Sequence, residues 1–264
     1  MIEEIDGEGD LDCEGFYEKE ISPITVFFCN GIGTSFESAQ EKAGLIEEAF
    51  SGRVICVHNP TEITSMVVGS LFPKIWGIGH IHEMHEATET RIIQELANRI
   101  FEELQNGQQV VLIGHSHGVF LLDRALKDSR FDHFRHLITF YAFAGAKAVK
   151  NKRASFVQNY VCGSGFVSRM ANWYYHKKET YLILQELRKG KSCEEAARNV
   201  LEMIVKTGED YERLLHIAKK YNICLIPSRS NFWQDHFLRT FVKEIQEIAN
   251  SHLGYNKIFG GSYA

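Results

Sequence analysis

The chain has 264 residues, of which 44% are hydrophobic and 24% are charged, and its formal net charge is −5. This composition excludes a wholly disordered or fibrous protein, and the negative charge gives no reason to expect nucleic-acid binding. A chain of this length is compatible with one large domain that buries a sizeable core.

The first twenty residues are strongly acidic. Residues 1–20 contain nine acidic side chains and one basic one, Lys19, which predicts a solvated, flexible tail before a single domain over 21–264. This start lacks the basic and then apolar pattern of a secretory signal. The six cysteines form no Cys-x-x-Cys pair, and free buried thiols suit a reducing compartment. We therefore expect a cytoplasmic protein, or one exported without a classical signal peptide.

Short apolar segments alternate with amphipathic helical segments along most of the chain. This alternation predicts an α/β fold with a doubly wound, mostly parallel sheet that helices cover on both faces. Two capping boxes, Thr34 with Glu37 and Ser192 with Glu195, predict helix starts. The predicted strands are 24–29, 54–57, 110–113, 137–143, 156–161 and 223–226, and the main predicted helices are about 36–50, 90–105, 117–127 and 236–250.

Two segments depart from the alternation. Residues 170–221 are predicted to be helical throughout, and we interpret them as an insertion before the last strand that could act as a lid. Residues 63–81 carry little charge, but Pro73, Lys74 and glycines interrupt them, which argues against a membrane span. We expect a loop or short helices there, near a binding site.

The most informative motif is Gly114-His115-Ser116-His117-Gly118. It follows an apolar strand directly and opens an amphipathic helix, which is the placement that a nucleophile elbow requires. The glycines allow a sharp turn that presents the serine oxygen at the carboxyl end of the sheet. Because Gly-x-Ser-x-Gly is common by chance, a tight turn that merely contains a serine is the alternative.

A serine hydroxyl needs a base to take its proton, and the resulting oxyanion needs backbone N–H donors. His236 follows the predicted last strand, where this fold places its base, although a helix-capping histidine would look the same. His115 and His117 flank Ser116, but their side chains should point away from the reacting face. The expected donors are the amide of His117 and one from the turn 30–32.

Three motifs together carry a resemblance to a known group. The turn Asn30-Gly31-Ile32-Gly33, the elbow and the late Asp235-His236-Phe237 resemble the lipase/esterase branch of the α/β-hydrolase superfamily. There is a fainter similarity to uncharacterised hydrolase-like proteins of chlamydia-type bacteria. The resemblance covers roughly residues 22–170 and 221–250.

The resemblance implies an activity and the roles of four residues. It implies hydrolysis of a carboxylic ester, with lipid esters as one candidate class of substrate, through an acyl-enzyme on Ser116. His236 would be the base, and the amides of Ile32 and His117 would bind the oxyanion. It implies no cofactor, no metal and no nucleic-acid partner.

The acidic member of the triad is missing from its usual place. The family places it after strands that end here near Ala144 and Val161. The sequence has no Asp or Glu between His133 and Glu179. The usual acid is therefore absent from this chain.

Three explanations for the missing acid stay open. The acid could come from another part of the chain, or Ser116 and His236 could act as a dyad helped by Ser164 or a backbone carbonyl. The protein could also be an inactive relative that binds a ligand, because replacing a triad acid lowers turnover by about 10⁴-fold. The candidate acids elsewhere are Glu209, Asp210 and Asp235.

A basic segment suggests a second interaction. Lys147, Lys150, Lys152 and Arg153 follow the carboxyl end of a predicted strand, the side on which open α/β sheets bind ligands. They could attract an anionic substrate or an anionic membrane surface. A solvated basic face is the alternative.

A histidine cluster suggests a metal-dependent hydrolase as another alternative. His80, His82 and His85 have a spacing similar to a metallo-β-lactamase-type motif, and imidazole is a good zinc ligand. Met84 stands where that motif has an aspartate. Loop histidines beside a pocket are the simpler interpretation, because a motif needs its structural context.

Overall fold

The computed structural model describes residues 2–5, 24–50, 52–60, 78–145, 147–150, 154–162, 177–204, 209–226 and 238–259. Within these ranges the chain forms one parallel sheet. Its strands are β1 (Ile2–Ile5), β2 (Ile24–Cys29), β3 (Arg53–Val57), β4 (Gln109–His115), β5 (Ile138–Phe143), β6 (Phe156–Cys162) and β7 (Ile223–Ile226).

The strands lie in the order β1-β3-β2-β4-β5-β6-β7, and each described pairing is parallel. From β2 the chain moves outward to β3, then returns past β2 to β4 and continues the other way to β7. The direction of winding therefore reverses between β2 and β4. The predicted α/β fold class, with a doubly wound parallel sheet, is confirmed.

Seven α-helices complete the described part of the fold. The helix that leads into β4 begins at Ile78, not near Thr90 as predicted. Residues 80–105 contain no glycine or proline, so nothing in the sequence stops the helix from extending upstream of Thr90. The helices are α1 (Phe36–Phe50), α2 (Ile78–Gln105), α3 (His117–Ala125), α4 (Lys178–Leu187), α5 (Cys193–Ile204), α6 (Glu209–Lys219) and α7 (Val242–Phe259).

Helices cover both faces of the sheet, so the central strands are buried on both sides. Phe27 and Leu112 point to the layer formed by α2 and α3. Phe28 and Ile113 point to the opposite layer, formed by α1 and α7. Because neighbouring residues of a strand face opposite sides, burial on both faces requires the continuous apolar runs seen in the sequence.

The helical insertion before the last strand is also confirmed. Helices α4, α5 and α6 lie between β6 and β7 in the chain and share an apolar core that includes Ile183 and Leu214. Leu184 and Tyr221 pack with Ala148, which follows β5. The insertion is therefore joined to the main domain through the segment that follows β5.

One capping prediction is confirmed and one is off by a residue. At the start of α5, the Ser192 and Glu195 side chains each accept a hydrogen bond from the other's backbone N–H, at 3.1 and 3.0 Å. At the start of α1, the hydroxyl of Ser35 accepts from the N–H of Ser38 at 3.2 Å, so Ser35 is the cap and not Thr34. The turn after β2 is thus one residue longer than the sequence pattern suggested.

Part of the predicted tail belongs to the sheet. Ile2–Ile5 forms β1, which pairs in parallel with β3 at the edge of the sheet. Residues 6–20 lie outside the described residues. No helix in the described ranges combines the length and the apolar character that crossing a membrane requires.

A partly buried tyrosine–histidine pair holds α7 against the sheet. The hydroxyl of Tyr141 lies 2.9 Å from Nε2 of His252, and the His252 ring also contacts Phe50 of α1. Burial lowers the pKa of His252 and raises the pKa of Tyr141 to about 12. The folded protein therefore favours the neutral form of both side chains.

We expect the free energy of unfolding to fall as the pH drops below about 6.5, the ordinary histidine pKa. The unfolded chain then binds a proton that folded His252 resists, whereas above this pH the contribution is fully present. His252→Gln should flatten this pH dependence, measured by urea denaturation at about pH 7.5 and about pH 5.5. The exposed His133→Gln is the control and should behave as wild type. Equal pH dependence in wild type and His252→Gln would contradict the assignment.

Candidate active site

Ser116 occupies the sharp turn between β4 and α3. Its backbone has φ 54° and ψ −117°, a conformation that residues with a Cβ rarely adopt. Its N–H donates to the carbonyl of Phe143 at 3.0 Å, and its own carbonyl accepts from Val119 N–H at 3.3 Å. A strained serine held in this way between a strand and a helix has the geometry of a nucleophile elbow.

The glycines of the elbow and of the facing turn permit close backbone contact. A Cβ at Gly118 would lie 2.1 Å from the carbonyl oxygen of Cys29, so only glycine lets α3 start this close to β2. A Cβ at Gly31 would lie 2.8 Å from Cβ and 3.3 Å from Oγ of Ser116. The turn after β2 therefore packs directly against the predicted nucleophile.

This contact lies at the point where the sheet reverses its direction of winding. Gly31 follows β2 and Ser116 follows β4, and these two strands are neighbours on either side of the reversal. In open α/β sheets, ligands bind in the crevice outside the carboxyl ends of the strands at such a point. The topology thus places both segments where a substrate site is expected.

The two predicted oxyanion donors lie on the segments that meet at Ser116. Ile32 comes directly after Gly31 in the turn that follows β2. His117 is the first residue of α3, a position from which the amide N–H points away from the body of the helix. The backbone arrangement is therefore compatible with an oxyanion hole formed by these two amides.

Two buried asparagines tie the ends of β2 and β3 together. Asn30 and Asn59 are both fully buried. Asn59 N–H donates to Oδ1 of Asn30 at 2.8 Å, while Nδ2 of Asn30 donates to the carbonyls of Asn59 at 3.2 Å and Gly31 at 2.8 Å. No local sequence pattern marks Asn59, because only the fold brings it beside Asn30.

The ring of His117 is fixed by partners on both nitrogens. Nδ2 of Asn59 donates to Nδ1 at 3.2 Å, so Nε2 carries the proton and donates to Oε1 of Glu89 at 3.0 Å. The ring also stacks on Phe120, with centroids 5.4 Å apart. Because both nitrogens are engaged, the His117 ring is not placed to take a proton from Ser116.

Several predicted site residues cannot be placed. His236, Asp235 and Ser164 lie outside the described residues. Glu209 and Asp210 are the first two residues of α6, in the insertion, but their side chains lie outside what the structure describes. The base and the acid therefore stay predictions.

The histidine cluster is part of a helix, not of a loop. His80, His82 and His85 all belong to α2. With 3.6 residues per turn, positions 80 and 82 lie about 200° apart around the helix axis, so three ligands to one ion do not share a face. Across the part of the chain that the structure describes, no group of His, Cys, Asp or Glu is placed to hold a metal ion.

One lysine of the basic segment is compensated by a carboxylate that is not its neighbour in the sequence. Nζ of Lys147 lies 2.7 Å from Oδ2 of Asp123, a buried carboxylate of α3, and the lysine side chain is only 20% exposed. The acid comes from another element, which a local charge count misses. Lys150 is half-buried, and Lys152 and Arg153 lie outside the described residues.

A groove of about 520 Å³ opens far from Ser116. Its lining includes Phe156 and Ile223, the first residues of β6 and β7, together with Lys191 and Tyr221. In a parallel sheet the amino ends of the strands lie opposite the edge that carries the elbow. This groove is therefore not part of the candidate active site.

Comparisons with known proteins found little. No protein-family model matches the chain, and neither does any curated protein. Among solved structures, the chain is similar to a proposed hydrolase of the alpha/beta superfamily from Xanthomonas campestris pv. campestris, at 10% sequence identity and a TM-score of 0.39, over 89% of this chain and 99% of that one. With a TM-score at this level, the interpretation of the site rests on the chain's own geometry.

We expect Gly118→Ala to destabilise the fold by roughly 3 kcal/mol or more, because its methyl group would overlap the Cys29 carbonyl. Gly44→Ala in α1 is the matched control, since a Cβ there meets nothing within 4 Å. That control should stabilise the protein by about 0.5–1 kcal/mol. Chemical denaturation of both variants checks the prediction, and a Gly118→Ala protein as stable as wild type would refute the close approach of α3 to β2.

Proposed function

We propose that the protein is a serine hydrolase that cleaves a carboxylic ester through an acyl-enzyme on Ser116. The observation that carries the proposal is the strained backbone of Ser116 at the end of β4, with the Gly31 turn packed against its Cβ and Oγ. Strain of this kind persists at functional sites when the surrounding structure enforces it. A structural turn would have no need of a serine in this conformation.

In the proposed reaction, Oγ of Ser116 attacks the ester carbonyl carbon while His236 takes the hydroxyl proton. The negative charge that develops on the carbonyl oxygen is bound by the amides of Ile32 and His117. The intermediate collapses when the bond to the alkoxy oxygen breaks, and His236 returns the proton to the departing alcohol. Water then attacks the acyl-enzyme with the same base, which releases the carboxylic acid and restores Ser116.

Two carboxylates, one on α2 and one on α3, are less suitable than the other candidates as the acid that would orient His236. Glu89 is bonded to His117, and Asp123 is bonded to Lys147, so both already serve other partners. The candidates stay Glu209, Asp210 and Asp235, with a Ser116–His236 dyad supported by Ser164 as the alternative. The carboxyl end of β7 precedes His236 and lies on the same edge of the sheet as Ser116.

The substrate class and setting are part of the proposal. The α4–α6 insertion is a candidate lid, and the low-charge stretch 63–81 is the sequence feature that suggests a lipid ester as substrate. Lys150, Lys152 and Arg153 are candidate contacts to an anionic surface. We place the protein in the cytoplasm, or outside the cell by a route without a classical signal.

The missing acid favours one second function, a binding protein on a hydrolase scaffold. In that case the elbow would hold a ligand without turning it over. The two functions differ in whether Ser116 reacts, because only an activated serine is phosphonylated readily.

We expect a fluorophosphonate probe to label the wild-type protein and not Ser116→Ala. Ser251→Ala is the matched control, because the Ser251 hydroxyl donates to the Ile248 carbonyl of its own helix. That variant should be labelled as wild type is. An unlabelled but folded wild-type protein would reject the serine hydrolase and favour the binding protein.

We expect His236→Gln to slow ester hydrolysis by about 10²- to 10⁴-fold, the usual contribution of a general base. Asp210→Asn, Glu209→Gln and Asp235→Asn, measured singly with the same ester, identify the acid by the largest fall in kcat. If none of the three lowers kcat while His236→Gln does, the dyad is the better description. A His236→Gln enzyme as active as wild type would remove His236 from the mechanism.

A further inference from the structure

A chain of buried hydrogen bonds joins the two segments that would supply the oxyanion donors. It begins at the Gly31 carbonyl and runs through Asn30 and Asn59 to the ring of His117, where it ends on Glu89 of α2. The chain thus connects the turn after β2, the end of β3, the start of α3 and α2. Every link between the first and last residue is 3.2 Å or shorter.

The His117 ring is the junction of this chain. It is buried, and each nitrogen has a partner from a different element, Asn59 after β3 and Glu89 in α2. Rotation of the ring would break both hydrogen bonds and leave buried polar groups without partners, which costs roughly 1–3 kcal/mol per group. The side chain therefore fixes the backbone of the residue whose N–H is the proposed oxyanion donor.

We propose that Asn59 and Glu89 are positioning residues that align, through the His117 ring, the two amide donors around Ser116. The inference rests on the proposed function, because the amides matter only if an oxyanion forms. Neither residue would touch the substrate, because Glu89 acts through His117 and Asn59 acts through His117 and Asn30. Glu89 needs only to accept a hydrogen bond from Nε2, so an uncharged acceptor at this position should serve nearly as well.

The same helix supplies a matched control. Glu103 of α2 is also a buried carboxylate with two polar partners, Oγ1 of Thr25 and Nη1 of Arg53, each at 2.8 Å. Thr25 and Arg53 lie at the amino ends of β2 and β3, and Glu103 is about 21 Å along the helix from Glu89. Loss of Glu103 should therefore lower stability without disturbing the elbow.

The test measures kcat and KM for p-nitrophenyl butyrate, with thermal unfolding to confirm that each variant is folded at the assay temperature. Glu89→Ala and Asn59→Ala should lower kcat by about 10- to 100-fold, the effect of displacing a catalytic group by about 1 Å, with KM changed by less than about threefold. Glu89→Gln should recover most of the wild-type kcat, and Glu103→Ala should keep it.

The outcomes separate the inference from the function on which it rests. If wild type hydrolyses the ester but Glu89→Ala and Asn59→Ala stay within twofold of its kcat, the inference fails and the hydrolase stands. An equal loss of kcat in Glu103→Ala would also overturn it, as would a Glu89→Gln enzyme as slow as Glu89→Ala. A wild type that neither turns over nor reacts with fluorophosphonate overturns both. If Glu89→Ala does not fold, Glu89→Asp replaces it, because the shorter side chain withdraws the carboxylate from Nε2. We expect the same fall in kcat for Glu89→Asp. An unchanged kcat in that variant counts against the inference.

Discussion

Ser116 has a positive φ although it carries a Cβ, a conformation that costs about 1–3 kcal/mol and persists only where its neighbours enforce it. The neighbouring strands supply that enforcement. Ser116 N–H donates to the Phe143 carbonyl at the end of β5, and Ala144, which also has a positive φ, donates to the Tyr160 carbonyl in β6. The pattern of bonds between parallel strands thus continues past the strand ends. The strain at the elbow is held by the sheet itself.

Three buried asparagines hold irregular segments of the chain against the sheet. Asn30 and Asn59 close the ends of β2 and β3, while Asn159 of β6 accepts from Val149 N–H at 2.8 Å and donates to the Val149 carbonyl at 3.0 Å. An amide side chain presents a donor and an acceptor together, so it can stand in for a missing strand at the point where pairing stops. Each asparagine therefore fixes an irregular segment with an uncharged side chain.

The features that could be predicted are those that depend on residues close together in the sequence. Continuous apolar runs indicate strands buried on both faces, and the glycines around Ser116 indicate a strand-to-helix turn. Glu89 with His117, and Asp123 with Lys147, could not be found in this way because each pair comes from separate elements. The edge strand β1 was missed because its acidic pattern is that of a solvated segment. Its pairing with β3 depends on a partner far along the chain.

The segment after β5 links the elbow helix to the insertion. Lys147 is bonded to Asp123 of α3, and the next residue, Ala148, packs with Leu184 and Tyr221. Two adjacent residues thus connect α3, the helix that starts at the predicted nucleophile, with the α4–α6 insertion. A displacement of the insertion would therefore have to break the contacts of this segment or carry α3 with it.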